Sequence, residues 1–226
     1  MEKKIRVTLN KYVIDILEAD CQSFKITKNS LINYIFSKLK EEKIDNIYTD
    51  EDSKGIIQFN LNKLNKNIYY DILAEQKIQV EADFIRKMVY RYAYQAKNSR
   101  ELFLYEEIVE RIKYGIKNKR VSKITFDDSR KTSILPFHIG TSKLELGNYI
   151  FCYDLIDEKY KNYKLNNIKT IFITQEKKEW ENREFIENVI KNFDPFLSQG
   201  KKIKAILSSE GKKLLATIAL NRPEII

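Results

Sequence analysis

The chain has 226 residues, with 41 Lys and Arg against 32 Asp and Glu, so its formal charge is +9 at pH 7. That length holds one large domain or two to three small ones, and a hydrophobic share of 43% supplies material for real cores. A single histidine excludes His-rich metal sites and two-histidine mechanisms. The positive balance points to an anionic partner, nucleic acid above all.

No apolar run approaches membrane-spanning length. The N-terminus passes from Met1-Glu2-Lys3-Lys4 straight into alternating residues, without the apolar core of a signal peptide. Cys21 and Cys152 lie far apart in apolar patterns and read as buried free thiols. The expectation is a cytoplasmic protein without a membrane partner.

In chain order, Ile5-Arg6-Val7-Thr8-Leu9-Asn10 alternates apolar and polar residues, the mark of a strand with one buried face. A helical pattern follows from Tyr12. After a turn near Ser23 to Thr27, a second helix starts at Thr27 or Asn29, both good caps. Its Leu31, Ile32, Ile35, Phe36 and Leu39 keep helical spacing. Residues 44–55 form a polar linker around Asp50-Glu51-Asp52.

The opening pattern then returns. Ile57-Gln58-Phe59-Asn60-Leu61-Asn62-Lys63 repeats Ile5 to Lys11 at an offset of 52, and Asp71-Ile72-Leu73 echoes Asp15-Ile16-Leu17 at 56. A further helix from about Glu81 carries Ile85, Met88, Val89 and Tyr92 on one face. A lone strand with two helices cannot satisfy its edges. Two such units, 1–48 and 54–98, pair their strands and pack their helices beneath.

Both units resemble the ribbon-helix-helix family, which includes the Arc and MetJ repressors. In such a ribbon Ile5, Val7, Leu9, Ile57, Phe59 and Leu61 face the helices. Arg6, Thr8, Gln58 and Asn60 face outward, with Asn10 and Asn62 at the strand ends; these six are the candidate nucleic-acid contacts. A two-stranded ribbon fits the major groove, where Arg matches guanine and Asn or Gln matches adenine. The helix ends near Asn29 and Glu81 are candidate phosphate clamps, although Glu81 and Asp83 oppose that role in the second unit. The pattern leaves open whether the units pair within one chain or between chains.

Ser99 is read as the cap of a connector helix within 99–118, with Leu104, Ile108, Ile112 and Ile116 as its stripe. Residues 119–175 read as short strands. Val121 to Phe126 is β-prone, Ile134-Leu135 leads to Pro136 at a strand end or edge, and Tyr149 to Tyr153 suits a strand buried on both faces. Several strands in so short a span suggest an antiparallel barrel, whose closure hides its edges.

The order Ile124-x-Phe126, Pro136, Gly147-Asn148-Tyr149-Ile150-Phe151-Cys152-Tyr153-Asp154, then Tyr163-Lys164-Leu165-Asn166-Asn167-Ile168 resembles the WYL domain, a bacterial Sm-like barrel. Asn148-Tyr149-Ile150 stands where the family has Trp-Tyr-Leu. Lys164 stands at its first basic position, and neutral Asn167 at its second. The resemblance implies an anionic, nucleotide-like or nucleic-acid effector. Tyr149 and Lys164 carry over from the motif; Arg130, His138 and Tyr153 join them as candidates by their place in the pattern.

Residues 176–226 read as a short α/β extension: a charged helix from Glu176 to Phe193, a strand from Lys201 to Leu207 and a helix from Ser208 to Leu220. It is either an abbreviated extension or the start of a longer one. No nucleophile elbow, Cys-x-x-Cys or phosphate-loop spacing is present, so the expectation is a non-enzyme with no cofactor and no metal site.

The reading is therefore an α+β protein: ribbon-helix-helix units, an Sm-like barrel and an α/β extension. The expected function is a nucleic-acid-binding regulator that reads duplex DNA and senses an effector, with a homodimer as the preferred assembly. The alternative is a single-stranded-RNA-binding accessory protein, since this combination resembles accessory factors that enhance type VI-D CRISPR effectors.

Overall fold

The computed structural model describes residues 4–45, 53–196 and 206–211. The chain divides into two compact units, Met1–Arg100 and Glu101–Ile226. The acidic centre of the expected linker lies outside the described residues. So do most of the strand and helix expected after residue 200.

The first unit runs β1 (Lys4–Asn10), α1 (Lys11–Ser23), α2 (Lys28–Leu39), β2 (Lys54–Asn60), α3 (Lys63–Glu75) and α4 (Glu81–Ala93). Strands β1 and β2 pair antiparallel, with Ile5 opposite Phe59, Arg6 opposite Gln58 and Val7 opposite Ile57. The pairing that sequence left open therefore forms within one chain. Alternation decides which face is covered: Ile5, Val7, Leu9, Ile57 and Phe59 are buried, while Leu61 is half-buried. Each buried aliphatic side chain contributes about 1.5–3 kcal/mol relative to exposure.

Helix α2 starts where Thr27 accepts the amide of Ser30 at 3.2 Å, and α3 where Asn62 accepts that of Asn65 at 2.8 Å. The helices cross over: α4 packs on β1 and α2 packs on β2. Gly55 permits close approach, since a Cβ there would lie 2.6 Å from Ile14 Cδ1. Within this unit Asp20, Tyr92 and Arg100 form a buried cluster. Arg100 Nε and Nη2 donate to Asp20 Oδ2 and Oδ1 at 2.6 and 2.9 Å, and the Tyr92 hydroxyl donates to Oδ2 at 2.8 Å. Both carboxylate oxygens thus have donors, which a buried charge requires.

Helix α5 (Lys97–Leu104) spans the unit boundary, and α6 (Glu106–Lys117) follows. Where one helix was expected from Ser99, two meet at Tyr105, whose ψ of 22° departs from helical geometry. The second unit continues with β3 (Arg120–Phe126), β4 (Lys131–Thr141), β5 (Asn148–Asp154), β6 (Lys159–Lys164) and β7 (Ile168–Lys177), then α7 (Arg183–Lys191). The charged helix expected from Glu176 thus begins later, because Glu176 and Lys177 extend β7.

The five strands form one antiparallel sheet in the order β6-β5-β4-β3-β7. This corrects the expected Sm-like barrel: the sheet is open, with β6 at one edge and β7 at the other. Helices cover both of its faces. On one, Val109 and Ile112 of α6 pack with Ile124, Ile134, Ile150 and Ile171. On the other, Ile186 of α7 packs with Leu135, Phe137 and Phe151. Lysines 159, 161, 164, 169 and 177 line the edge strands, and charge there discourages further pairing. Strand β5 is buried on both faces, as its composition indicates.

Pro136 lies inside the central strand β4 and not at an end or edge. It sits at a register shift against β5, and β3 pairs with β4 only as far as Ile134, so its missing N–H interrupts no ladder on that side. No helix among the described residues is long and apolar enough to cross a membrane.

Candidate nucleic-acid interface

The outer face of the ribbon is built by the strand period of two. Arg6 and Gln58 stand directly opposite each other and are both exposed; Thr8 is exposed opposite Ile56. Among the described residues the Arg6 guanidinium and the Gln58 amide have no side-chain partner. Both are exposed.

The other three candidates of this set are engaged internally. Asn10 is 2% exposed; its N–H donates to the Tyr90 hydroxyl at 3.2 Å, and that hydroxyl donates to its Oδ1 at 2.9 Å. Asn62 caps α3, and its N–H donates to Asn33 Oδ1 at 2.8 Å. The backbone of Asn60 is held from both sides, its N–H by Asn29 Oδ1 and its carbonyl by Asn33 Nδ2, each at 2.8 Å. Asn29 and Thr27 thus serve the fold at the start of α2. At α4, Arg86 donates through Nε to the Thr8 carbonyl at 3.0 Å and through Nη1 to Asp83 at 2.5 Å.

Three further residues share the outer face: exposed Lys4, Lys54 and Ile56. Extending the alternation one step outward from Arg6 finds Lys4. Ile56 escapes that signal because it adjoins buried Ile57, which breaks the alternation.

In the second unit, four of the five effector candidates sit on the α7 side of the sheet. Tyr149 pairs with Lys164 across β5 and β6, Tyr153 pairs with Tyr160, and His138 pairs with Phe151. Glu145 ties the first pair together: the Tyr149 hydroxyl donates to its Oε2 at 2.7 Å, and Lys164 Nζ donates to the same oxygen at 2.8 Å. Burial, then the Glu145 hydrogen bond, pushes the Tyr149 hydroxyl well above its ordinary pKa. Lys164 Nζ lies 5.9 Å from the Tyr149 ring centroid. An anion that takes Lys164 must compete with Glu145.

His138 rests against Phe193 at 5.3 Å between ring centroids, and burial lowers its pKa. Tyr153 meets the ring of Tyr160 at 5.2 Å. Arg130 stands apart from these four. It lies in the exposed turn between β3 and β4, paired with Asp128 at 2.7 Å, with its guanidinium 5.4 Å from the Phe126 ring.

The motif aspartate, Asp154, is structural. Burial raises its pKa, but hydrogen bonds from the Tyr163 hydroxyl, the Asp157 N–H, the Thr132 hydroxyl and the Ile156 N–H outweigh that and hold it at about 2. It thereby ties the β5–β6 turn to β4 and β6. A feature that motif reading passed over is the β6 run Lys159-Tyr160-Lys161-Asn162-Tyr163-Lys164, in which lysines and tyrosines interleave along an edge strand. The rings themselves pack inward, Tyr160 against Phe151 and Phe185 and Tyr163 against Phe126, so the lysines are what this edge offers to the phosphates of a nucleic acid.

No protein-family model and no curated protein matches the chain. A solved structure described as a CRISPR Cas-related protein is similar to it, with a TM-score of 0.70 and 12% identity, over 97% of this chain and 79% of that one. At that identity the likeness is one of fold. Proteasome accessory factor B/C (PafBC) of Arthrobacter aurescens matches at a TM-score of 0.32 and 10% identity, over 80% of this chain and 35% of that one, too weak a likeness to carry an argument. The chain thus has a remote structural match, along nearly its whole length, to a CRISPR Cas-related protein.

Proposed function

We propose that this protein is a non-catalytic, nucleic-acid-binding accessory factor of a CRISPR–Cas system that engages single-stranded RNA. The observation that carries the reading is the likeness in fold to a CRISPR Cas-related protein over 97% of the chain. The lysines of β6 support it, with Lys164 beside Tyr149 and Lys159 and Lys161 further along the same edge strand. Tyr149 and Lys164 are also positions at which the sequence resembles WYL proteins. Lys164 contacts phosphate in this reading, displacing Glu145, while Tyr153 and His138 line the same side of the sheet.

The test is equilibrium binding of labelled single-stranded RNA across a salt series. Affinity falls as salt rises, because neutralised phosphates release counterions. Lys164→Ala weakens it by about tenfold or more, ~1.4 kcal/mol. Added protein also raises the rate at which a type VI-D effector cleaves its target RNA. Absence of RNA binding at physiological salt, or an unchanged Lys164→Ala, defeats the assignment. A homodimer is proposed with it, and sedimentation velocity reads the mass.

A second reading has its own observation. The exposed Arg6–Gln58 pair at the centre of the ribbon, whose side chains have no partner among the described residues, favours a ribbon-helix-helix regulator that reads duplex DNA in the major groove. Loss of duplex affinity in Arg6→Ala, with RNA binding retained, supports it.

A further inference from the structure

The strand register locates the symmetry of the ribbon. The two sequence copies superpose at an offset of 52 in their strands, Ile5 onto Ile57 and Val7 onto Phe59. Exchanging the copies turns the pair Ile5–Phe59 into Val7–Ile57, which is itself an observed pair. The pair that maps onto itself is Arg6–Gln58, so the pseudo-two-fold axis passes through it.

Side chains beneath the ribbon obey the same exchange. Asn29 and Asn33 of α2 hold the end of β2, bonding the Asn60 N–H and the Asn62 N–H. Arg86 and Tyr90 of α4, each 57 positions later in sequence, hold the end of β1, bonding the Thr8 carbonyl and the Asn10 N–H. The scaffold is thus two-fold in backbone and in the positions that clamp it.

The outer face breaks this symmetry. Two identical strands would place identical residues at the axis; here they are Arg and Gln. Lys4 exchanges with Ile56, both exposed, and Thr8 exchanges with Asn60. Arg is built for the acceptor pair of guanine, and Gln for the donor–acceptor pair of adenine.

We propose that one chain is a complete reader of a non-palindromic duplex DNA segment, with Arg6 taking guanine on one side of the centre and Gln58 taking adenine on the other. This rests on the second reading above and adds the asymmetry of the target and the one-chain stoichiometry. A reader made of two identical chains is held to a palindrome by its own symmetry; a fused pair is not.

The experiment is selection of bound sequences from a random duplex library with the full chain, followed by sedimentation of the complex. The expected result is a short non-palindromic motif with one ribbon on each motif, so that a homodimer carries two DNA segments and a single chain carries one. Replacing the guanine assigned to Arg6 lowers affinity by about 5- to 150-fold. Gln58→Arg makes the axis pair identical and shifts the selected centre toward a symmetric G-and-C arrangement. A palindromic motif from the unaltered protein, two ribbons on each motif, or a motif unchanged in Gln58→Arg overturns the proposal, and so does the absence of any enriched duplex. Single-stranded RNA binding is measured on the same sample. RNA binding without an enriched duplex sinks the asymmetric reader and leaves the RNA assignment standing, whereas failure to bind either sinks both.

Discussion

The two strand–helix–helix copies of the first unit hold their strand ends with unlike chemistry. The β2 end is held by asparagines: Asn33 donates to the Asn60 carbonyl, accepts from the Asn62 N–H, and receives Asn65 Nδ2 at 3.0 Å. The β1 end is held by Arg86, which donates to the Thr8 carbonyl, and by the phenol of Tyr90, which both accepts from and donates to Asn10. A symmetric dimer has one sequence for both ends and cannot make this distinction. Within a fused chain each clamp, and each outer strand face, is free to diverge. The scaffold keeps its two-fold form because the same buried backbone groups must be satisfied in both places.

The largest expected effect removes what both copies share. Asp20→Ala leaves Arg100 buried without its anion and costs about 3–5 kcal/mol, read as a shift of the urea midpoint. Next, Asn33→Ala strands several groups at the β2 end and costs about 1–3 kcal/mol, whereas Tyr90→Phe at the β1 end costs about 1 kcal/mol. Equal losses in that pair of variants break the contrast drawn here. Helix caps come next: Asn62→Ala and Thr27→Ala each cost about 1 kcal/mol, and an undiminished melting temperature in either removes that cap from the account.

The sheet unit supplies a contrast in pH. The folded pKa of Asp154, about 2, lies below the ordinary carboxylate value near ~3.9. Its contribution is therefore complete above about pH 4 and lost as pH falls toward about 2. Acid titration followed at the Trp180 fluorescence shows this loss, and Asp154→Asn flattens the profile in that window. Smallest are Arg6→Ala and Gln58→Ala, which change stability by less than about 0.5 kcal/mol while lowering duplex affinity. A large stability loss in either marks it as a structural residue and not a reading one.

The contrast between copies was partly legible in the residues. Alternation from Ile5 to Asn10 and its return at Ile57 identify the buried and outward strand faces, because side chains on a strand point to opposite sides in turn. The same signal cannot separate Arg6, which stays exposed, from Asn10, which is buried against a phenol 80 positions away. In the second unit the Tyr149 to Tyr153 run identifies a strand covered on both faces. The order of the strands is not legible there, since β7 pairs with β3 across the whole unit. Nor is it legible that Arg130 stands apart from His138, Tyr149, Tyr153 and Lys164.

Sequence by itself determined the repeat, the helix faces, the strand faces and the positive charge, all of which follow from local period and composition. Tertiary structure decided that the ribbon closes within one chain and that Asn10 and Asn62 serve the fold. It also decided that Pro136 is tolerated mid-strand and that the sheet stays open. Each of these depends on which distant surface satisfies a buried polar group or covers an apolar face, and the period of a single segment carries no record of its partner.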